Sequence, residues 1–219
     1  MRAGDGDSGG DRARGTVLVA TRSAGKLREI APMLAEAGWR AVDLGAAGIV
    51  ESPEEELLET AETFEENALA KARYFAARSG QPGQPVLADD SGLMCEALGG
   101  APGVYSKRWS ARPDLSGAAL DAVNNAHLLE MLRGAGTRRA RYRCAAAWVA
   151  GATEIVAVGE TAGRILEVAE GRGGFGYDPL FFSDELGASF GVVSRAEKSR
   201  VSHRGRAVRA LLQKVRAGS

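Results

Sequence analysis

The chain has 219 residues, with 28 Lys and Arg against 28 Asp and Glu, no formal net charge and 45% hydrophobic residues. Such a balance argues against a protein that coats nucleic acid. The apolar runs fall far short of the roughly 20 residues that a membrane helix needs. Two cysteines, Cys95 and Cys144, make neither a disulfide framework nor a metal spacing, and a reduced, cytoplasmic protein is expected.

The opening MRAGDGDSGGDRARG has no apolar stretch of the kind a signal peptide carries. It is small, charged and Gly-rich, which predicts a disordered tail over residues 1–15 before a single domain over 16–217. VLVATRSAGKLREI follows. Val17–Ala20 reads as a buried strand, Thr21, Ser23 and Gly25 supply a turn, and Leu27, Ile30 and Leu34 recur at helical spacing. The G-K pair is not a P-loop, because the opening glycine is replaced by Ala20 and the closing hydroxyl by Leu27. A helix start with free N–H groups and Lys26 nearby is still an anion site; the alternative is an ordinary turn with a solvated lysine.

LREIAPMLAEAG predicts an amphipathic helix closed by Gly38 and kinked at Pro32. After the acidic stretch ESPEEELLETAE, TFEENALAKARYFAARSG predicts a helix with a Thr63–Glu66 capping box, an apolar stripe of Phe64, Ala68, Ala72 and Phe75, and a stop at Gly80. Val86–Ala88 reads as a short strand with Asp89 and Asp90 at its end. LGGAPGV is loop chemistry. Residues 116–133 predict a helix with Leu120, Val123, Leu128, Met131 and Leu132 on its apolar face. RARYRCAAAWVAG and TEIVAVGETAGRILEV predict two strands, either a hairpin or neighbours in a sheet. GRGGFGYDPLFF is a Gly-rich loop, and SHRGRAVRALLQKVRAG a closing helix. Together these predict an α/β protein with a mixed sheet.

Five places carry candidate chemistry, each with a plainer reading beside it. Lys26 in its turn is one. Asp89-Asp90 offers hard oxygen ligands suited to Mg²⁺, or is a polar turn. Asn67 and Lys71, four apart, share a helix face that is either functional or solvated. In GGFGYDP, Phe175 and Tyr177 either stack on a flat ring or belong to the core. Lys198, His203 and Arg204 concentrate donors for a phosphate or a base edge, or are surface charges at a helix start. His127 reads as structural, and two histidines without a cysteine cluster exclude an ordinary zinc site. Arg138, Arg139, Arg141 and Arg143 read as solvated strand charges, with a nucleic-acid strip as the sharper alternative. The first five fit one problem: a nucleoside triphosphate needs a metal, cations for its phosphates and a slot for its base.

TRSAGK, ETAETFEENALAKA, ADDSGL, LGGAPGVYS, GGFGYDP and EKSRVSHRGRA occur in this order. With them the chain resembles the inosine/xanthosine triphosphate pyrophosphatase family over about residues 16–217. The resemblance implies an elongated mixed-sheet α/β fold with two lobes and a central active-site cleft, a homodimer, and Mg²⁺-dependent hydrolysis of ITP, dITP and XTP to the monophosphate and pyrophosphate. Carried over by motif, Asp90 is the catalytic residue and a metal ligand, with Glu59 a second ligand and Ser91 a substrate contact. Thr21, Arg22, Ser23, Ala24, Gly25 and Lys26 form the phosphate-side loop, and Lys71 is a further phosphate contact. Phe175, Gly176, Tyr177 and Asp178 form the base loop, and Lys198, His203 and Arg204 complete the site. The chain departs from the family pattern at Ser23, where asparagine is usual, and at Ala61, where glycine is usual.

Overall fold

The computed structural model describes residues 14–218, so most of the expected tail lies outside the described residues; Gly15 already belongs to the first strand. In chain order the elements are β1 (Gly15–Val19), α1 (Ala24–Glu36), β2 (Trp39–Asp43), a 3-10 helix (Pro53–Glu59), α2 (Phe64–Arg78), β3 (Val86–Cys95) and α3 (Gly117–Met131). There follow β4 (Arg139–Ala150), β5 (Thr153–Ile165), β6 (Phe181–Ser183), β7 (Ala188–Ser189), α4 (Arg195–Val201) and α5 (His203–Ala217). The strands form one mixed sheet in the order β2-β1-β3-β4-β5-β6-β7. β1 pairs parallel with both β2 and β3, and every later pairing is antiparallel.

Alternation along the strands sorts side chains onto two faces. Val17, Val19, Leu87 and Ala146 pack with Ile30 and Leu34 of α1 and Val208 and Leu211 of α5. Leu18, Val86, Ala88, Ala145 and Ala147 pack with Phe64, Ala68, Ala72 and Phe75 of α2 on the other face. A third cluster, with Tyr142, Ile165, Phe181 and Phe190, fills the β5-β6-β7 end. Burying Phe64 and Phe75 contributes about 1.5–3 kcal/mol each and fixes α2 against the sheet. The same buried stripe carries Asn67 and Lys71, which therefore enter the interior instead of facing solvent.

The helix expected over LREIAPMLAEAG is α1, with Pro32 inside it. Several expectations are corrected. The acidic stretch holds a 3-10 helix. Thr63 accepts from the Glu66 N–H, but the Glu66 carboxylate turns to the Thr63 hydroxyl, so the cap is one-sided. Met131 is exposed while Leu128 and Leu132 are buried. The two strands expected over RARYRCAAAWVAG and TEIVAVGETAGRILEV are present as β4 and β5, in the hairpin alternative. The largest correction concerns β3, which runs on to Cys95, so Asp89 and Asp90 sit mid-strand opposite Ala146 and Ala145. Buried carboxylates interrupt no strand when cations and donors from both faces satisfy them.

Candidate active site

Mid-strand placement sends the two aspartates to opposite faces of the sheet. Asp90 points to α2. Its Oδ2 accepts from Asn67 Nδ2 at 3.0 Å, its Oδ1 accepts from the Ser91 N–H at 2.9 Å, and Lys71 Nζ lies 3.9 Å from Oδ1. Lys71 also binds Glu59, at the end of the 3-10 helix, at 2.5 Å and donates to the Asp89 carbonyl. Burial pushes the Asp90 carboxyl above its ordinary value, against the pull of Lys71 and Lys26. Burial acts the same way on Glu59, but Lys71 and Lys26 prevail and hold it at about 2. Burial thus raises the one carboxyl, while the lysines keep its neighbour ionised.

Asp89 points to α1 and α5, and its side chain is fully buried. Arg204 Nε donates to its Oδ2 at 2.9 Å, and Lys26 Nζ lies 3.1 Å from the same oxygen. Burial opposes its charge, yet Lys26 and Arg204 keep it far below the ordinary carboxylate range. Its Oδ1 has no partner among the described residues. Asp89 is thus a counter-ion that spaces two cations, not a companion ligand to Asp90.

The phosphate-side loop owes its form to its hydroxyls. Ser23 caps α1 by accepting from the Lys26 N–H, and Thr21 Oγ1 accepts from the Ser23 N–H. Lys26 reaches back to β3. Arg22 turns away from this site: its guanidinium grips Glu55 at 2.7–2.9 Å and the Ile49 carbonyl at 3.0 Å. Arg22 thereby pins the acidic 3-10 helix to the loop.

At the other end, Lys198 of α4 is held by Asp178 at 2.5 Å and Glu29 of α1 at 2.7 Å, and Glu29 also binds Arg204. Asp178 Oδ2 accepts from the Phe175 N–H at 2.9 Å. Phe175 lies beneath Lys198 and Arg204, 5.0 and 5.6 Å from its ring centre. A Cβ at Gly25 would meet that ring at 2.7 Å, so glycine permits this close approach. A cavity of about 210 Å³ opens here, lined by Gly25, Glu29, Gly174, Phe175, Phe190 and Lys198. Tyr177, expected as a possible stacking ring, is instead core; its hydroxyl donates to the Ser106 carbonyl at 2.8 Å. His203 is buried with its ring flat on Tyr142, centroids 4.4 Å apart at 11°. Burial, then Arg204 and Lys198, keeps it neutral at ordinary pH, and its Nδ1 has no partner among the described residues.

Charges therefore alternate in two linked runs along β3: Glu59, Lys71, Asp90 on one face, and Lys26, Asp89, Arg204, Glu29, Lys198, Asp178 on the other. Sequence reading singled out Asn67 without assigning it a role and missed Glu29, which lies three residues after Lys26 and so shares its helix face. Of the strand arginines, Arg139 is engaged with Asp184 and Arg143 with Glu160 and Glu65, while Arg138 donates to the Leu132, Ile165 and Leu166 carbonyls. His127 packs against Trp109, as a structural residue should.

The Ham1 family profile matches residues 17–214. The chain belongs to the Ham1 family. It is 43% identical over 208 residues to the dITP/XTP pyrophosphatase of Burkholderia pseudomallei, covering 94% of this chain and 95% of that one. It is 45% identical over 205 residues to that of Nitratidesulfovibrio vulgaris, covering 91% and 95%. Among solved structures, a HAM1 protein from Coxiella burnetii matches with a TM-score of 0.77 at 30% identity, over 92% of this chain and 98% of that one. The nucleoside-triphosphatase / dITP/XTP pyrophosphatase of Mycobacterium abscessus matches with a TM-score of 0.66 at 39% identity, over 90% and 98%. The fold is thus shared with Ham1 proteins. No helix of the described residues is long and apolar enough to cross a membrane.

The Ham1 charge runs carry a pH dependence. Glu29 is lowered below 4.5, burial opposing and Arg204 and Lys198 prevailing, and Glu59 is lowered to about 2. The unfolded chain takes up these protons near 4.5, while the folded chain resists until lower pH. Their stabilisation is complete above about pH 4.5 and is lost as pH falls toward about 2. Thermal unfolding across this window should show a falling Tm, with a flatter acid limb in Glu59→Gln. An acid limb of unchanged steepness in that variant would exclude Glu59 as a contributor.

Proposed function

We propose that this protein hydrolyses non-standard purine nucleoside triphosphates, ITP, dITP and XTP, to the monophosphate and pyrophosphate, clearing them from the nucleotide pool. The observation that carries the reading is the continuity of the charge runs: a poised carboxylate and two lysines converge on β3, and a cavity sized for a flat ring lies beyond Arg204. The names of the relatives, dITP/XTP pyrophosphatases, agree with it.

In this reading Asp90 accepts the proton of the attacking water. Its buried setting raises its basicity while Asn67 fixes its orientation. Water oxygen bonds to the α-phosphorus, the α–β anhydride bond breaks, and pyrophosphate leaves with the electron pair. Lys26 and Lys71 exchange their carboxylate partners for phosphate oxygens and neutralise the leaving group. Phe175 stacks on the base, and Lys198 and Arg204 offer donors to its edge.

Among the described residues no group of three or more His, Cys, Asp or Glu side chains is placed to hold a metal ion. Mg²⁺ needs only one or two carboxylates besides water and substrate phosphates, and Glu59 and Asp90, bracketing Lys71, are a donor set of that kind. When bound there, Mg²⁺ supplies charge neutralisation and polarisation of the triphosphate. A homodimer and a cytoplasmic location belong to the same proposal; light scattering decides the first.

The test is product identity. ITP incubated with Mg²⁺ should yield IMP and pyrophosphate, and EDTA should stop the reaction. IDP with orthophosphate would move the cleavage to the γ-phosphate and overturn the role given to the lysines.

A further inference from the structure

The base loop is gripped from outside the site. Asp121 and Asn125 lie one turn apart on the same face of α3, and both reach a single residue, Gly176. Asp121 Oδ2 accepts from the Gly176 N–H at 2.8 Å, and Asn125 Nδ2 donates to the Gly176 carbonyl at 2.9 Å. Gly176 has φ +63°, the left-handed region, where its N–H and C=O find no partner in the sheet. An acceptor and a donor on one helix face thus take the place of a neighbouring strand. Nothing crowds a Cβ at Gly176, so glycine answers to the backbone conformation alone.

The neighbours of Gly176 give this grip its consequence. On one side Phe175 turns its ring to Gly25 and the Lys198–Arg204 cations. On the other Tyr177 is anchored on Ser106, and Asp178 holds both the Phe175 N–H and Lys198. A shift of the Gly176 peptide would carry the ring of Phe175 off the cavity.

We propose that Asp121 and Asn125 are positioning residues that set the base loop for the purine ring; this rests on the hydrolase reading above. The polarity of the two bonds makes the proposal separable from simple packing. Asp121→Asn keeps an acceptor oxygen for the Gly176 N–H, while Asp121→Ala removes it. Asn125→Asp is nearly isosteric but sets a carboxylate against the Gly176 carbonyl, and Asn125→Ala merely empties the place.

The experiment measures steady-state hydrolysis of ITP with Mg²⁺, Tm, and amide hydrogen exchange of the segment 173–178 in the four variants. Asp121→Ala and Asn125→Asp should raise KM about tenfold, the size expected for one lost hydrogen bond to a half-buried partner, with kcat within about twofold. Both should speed exchange in the segment, and Asp121→Asn should rescue KM and exchange together. Unchanged exchange in Asp121→Ala and Asn125→Asp would overturn the proposal, as would faster exchange with KM unmoved. An equal rise in KM and fall in Tm in all four variants, Asp121→Asn included, would make the pair structural only. If the wild-type protein leaves ITP intact, the hydrolase reading fails on its own, and the exchange pattern alone decides whether the grip exists.

Discussion

Asp90→Asn should lower kcat for ITP by a factor on the order of 10² or more, because a positioned general base typically contributes that much. The substitution is nearly isosteric, and its surroundings are suited to test chemistry rather than folding. Asn67 Nδ2 and the Ser91 N–H both donate to the carboxylate, so an amide in its place satisfies only one of them through its oxygen. Lys71 keeps its 2.5 Å bond to Glu59 and its bond to the Asp89 carbonyl, so no cation is left stranded. The fold should therefore lose only about 1–3 kcal/mol, the cost of one unpaired buried donor, while turnover collapses. Near-normal turnover with an intact fold would remove Asp90 from the reaction.

Arg204→Met should destabilise the fold by about 3–5 kcal/mol, the range for removing one partner of a buried ion pair. Arg204 is 2% exposed and holds Asp89, Glu29 and the Ser91 hydroxyl. Without it Asp89, 1% exposed, retains a single close cation, Lys26. Glu29 retains Lys198 and lies nearer the cavity, so most of the loss belongs to Asp89. Urea unfolding at neutral pH measures the difference. A loss below about 1 kcal/mol, the worth of a typical exposed pair, would show that Lys26 alone satisfies Asp89.

The sequence made the helices and the order of the site plain because both are written in local spacing. The stripe Phe64, Ala68, Ala72, Phe75 is the buried face of α2, and the turn after Val17–Ala20 does open a helix at Ala24. What local spacing hides is partnership across the fold. Asp89 and Asp90 read as one pair, yet strand alternation assigns them to opposite faces with different cations. The burial of Asp89 inside β3 depends on Arg204, 115 residues away, which no window of sequence contains. Arg22 stands beside Lys26 but answers to Glu55. Tyr177 stands beside Phe175 but packs into the core. Residue type singled out Asp90, Lys71 and Lys198; which way they face had to come from the register of β3 and the docking of α2 and α5.

The departure at Ser23 has a structural account of its own. Its hydroxyl takes the Lys26 N–H and so closes the first turn of α1, a role that serine fills as readily as asparagine. Helix initiation at this loop therefore survives the substitution.

Selectivity at the six-position of the purine tests the central claim most directly. In the proposed reading the keto oxygen of hypoxanthine or xanthine accepts from Lys198 and Arg204, a bond that the amino group of adenine cannot make. A mismatch of that kind discriminates by about 10⁴-fold. The measurement is kcat/KM for pyrophosphate release from ITP, dITP and XTP against ATP and GTP, with Mg²⁺. The account predicts turnover of the first three, with ATP disfavoured by a factor on the order of 10⁴. Equal kcat/KM for ITP and ATP would contradict it, since a cavity edged by donors cannot treat a keto and an amino group alike.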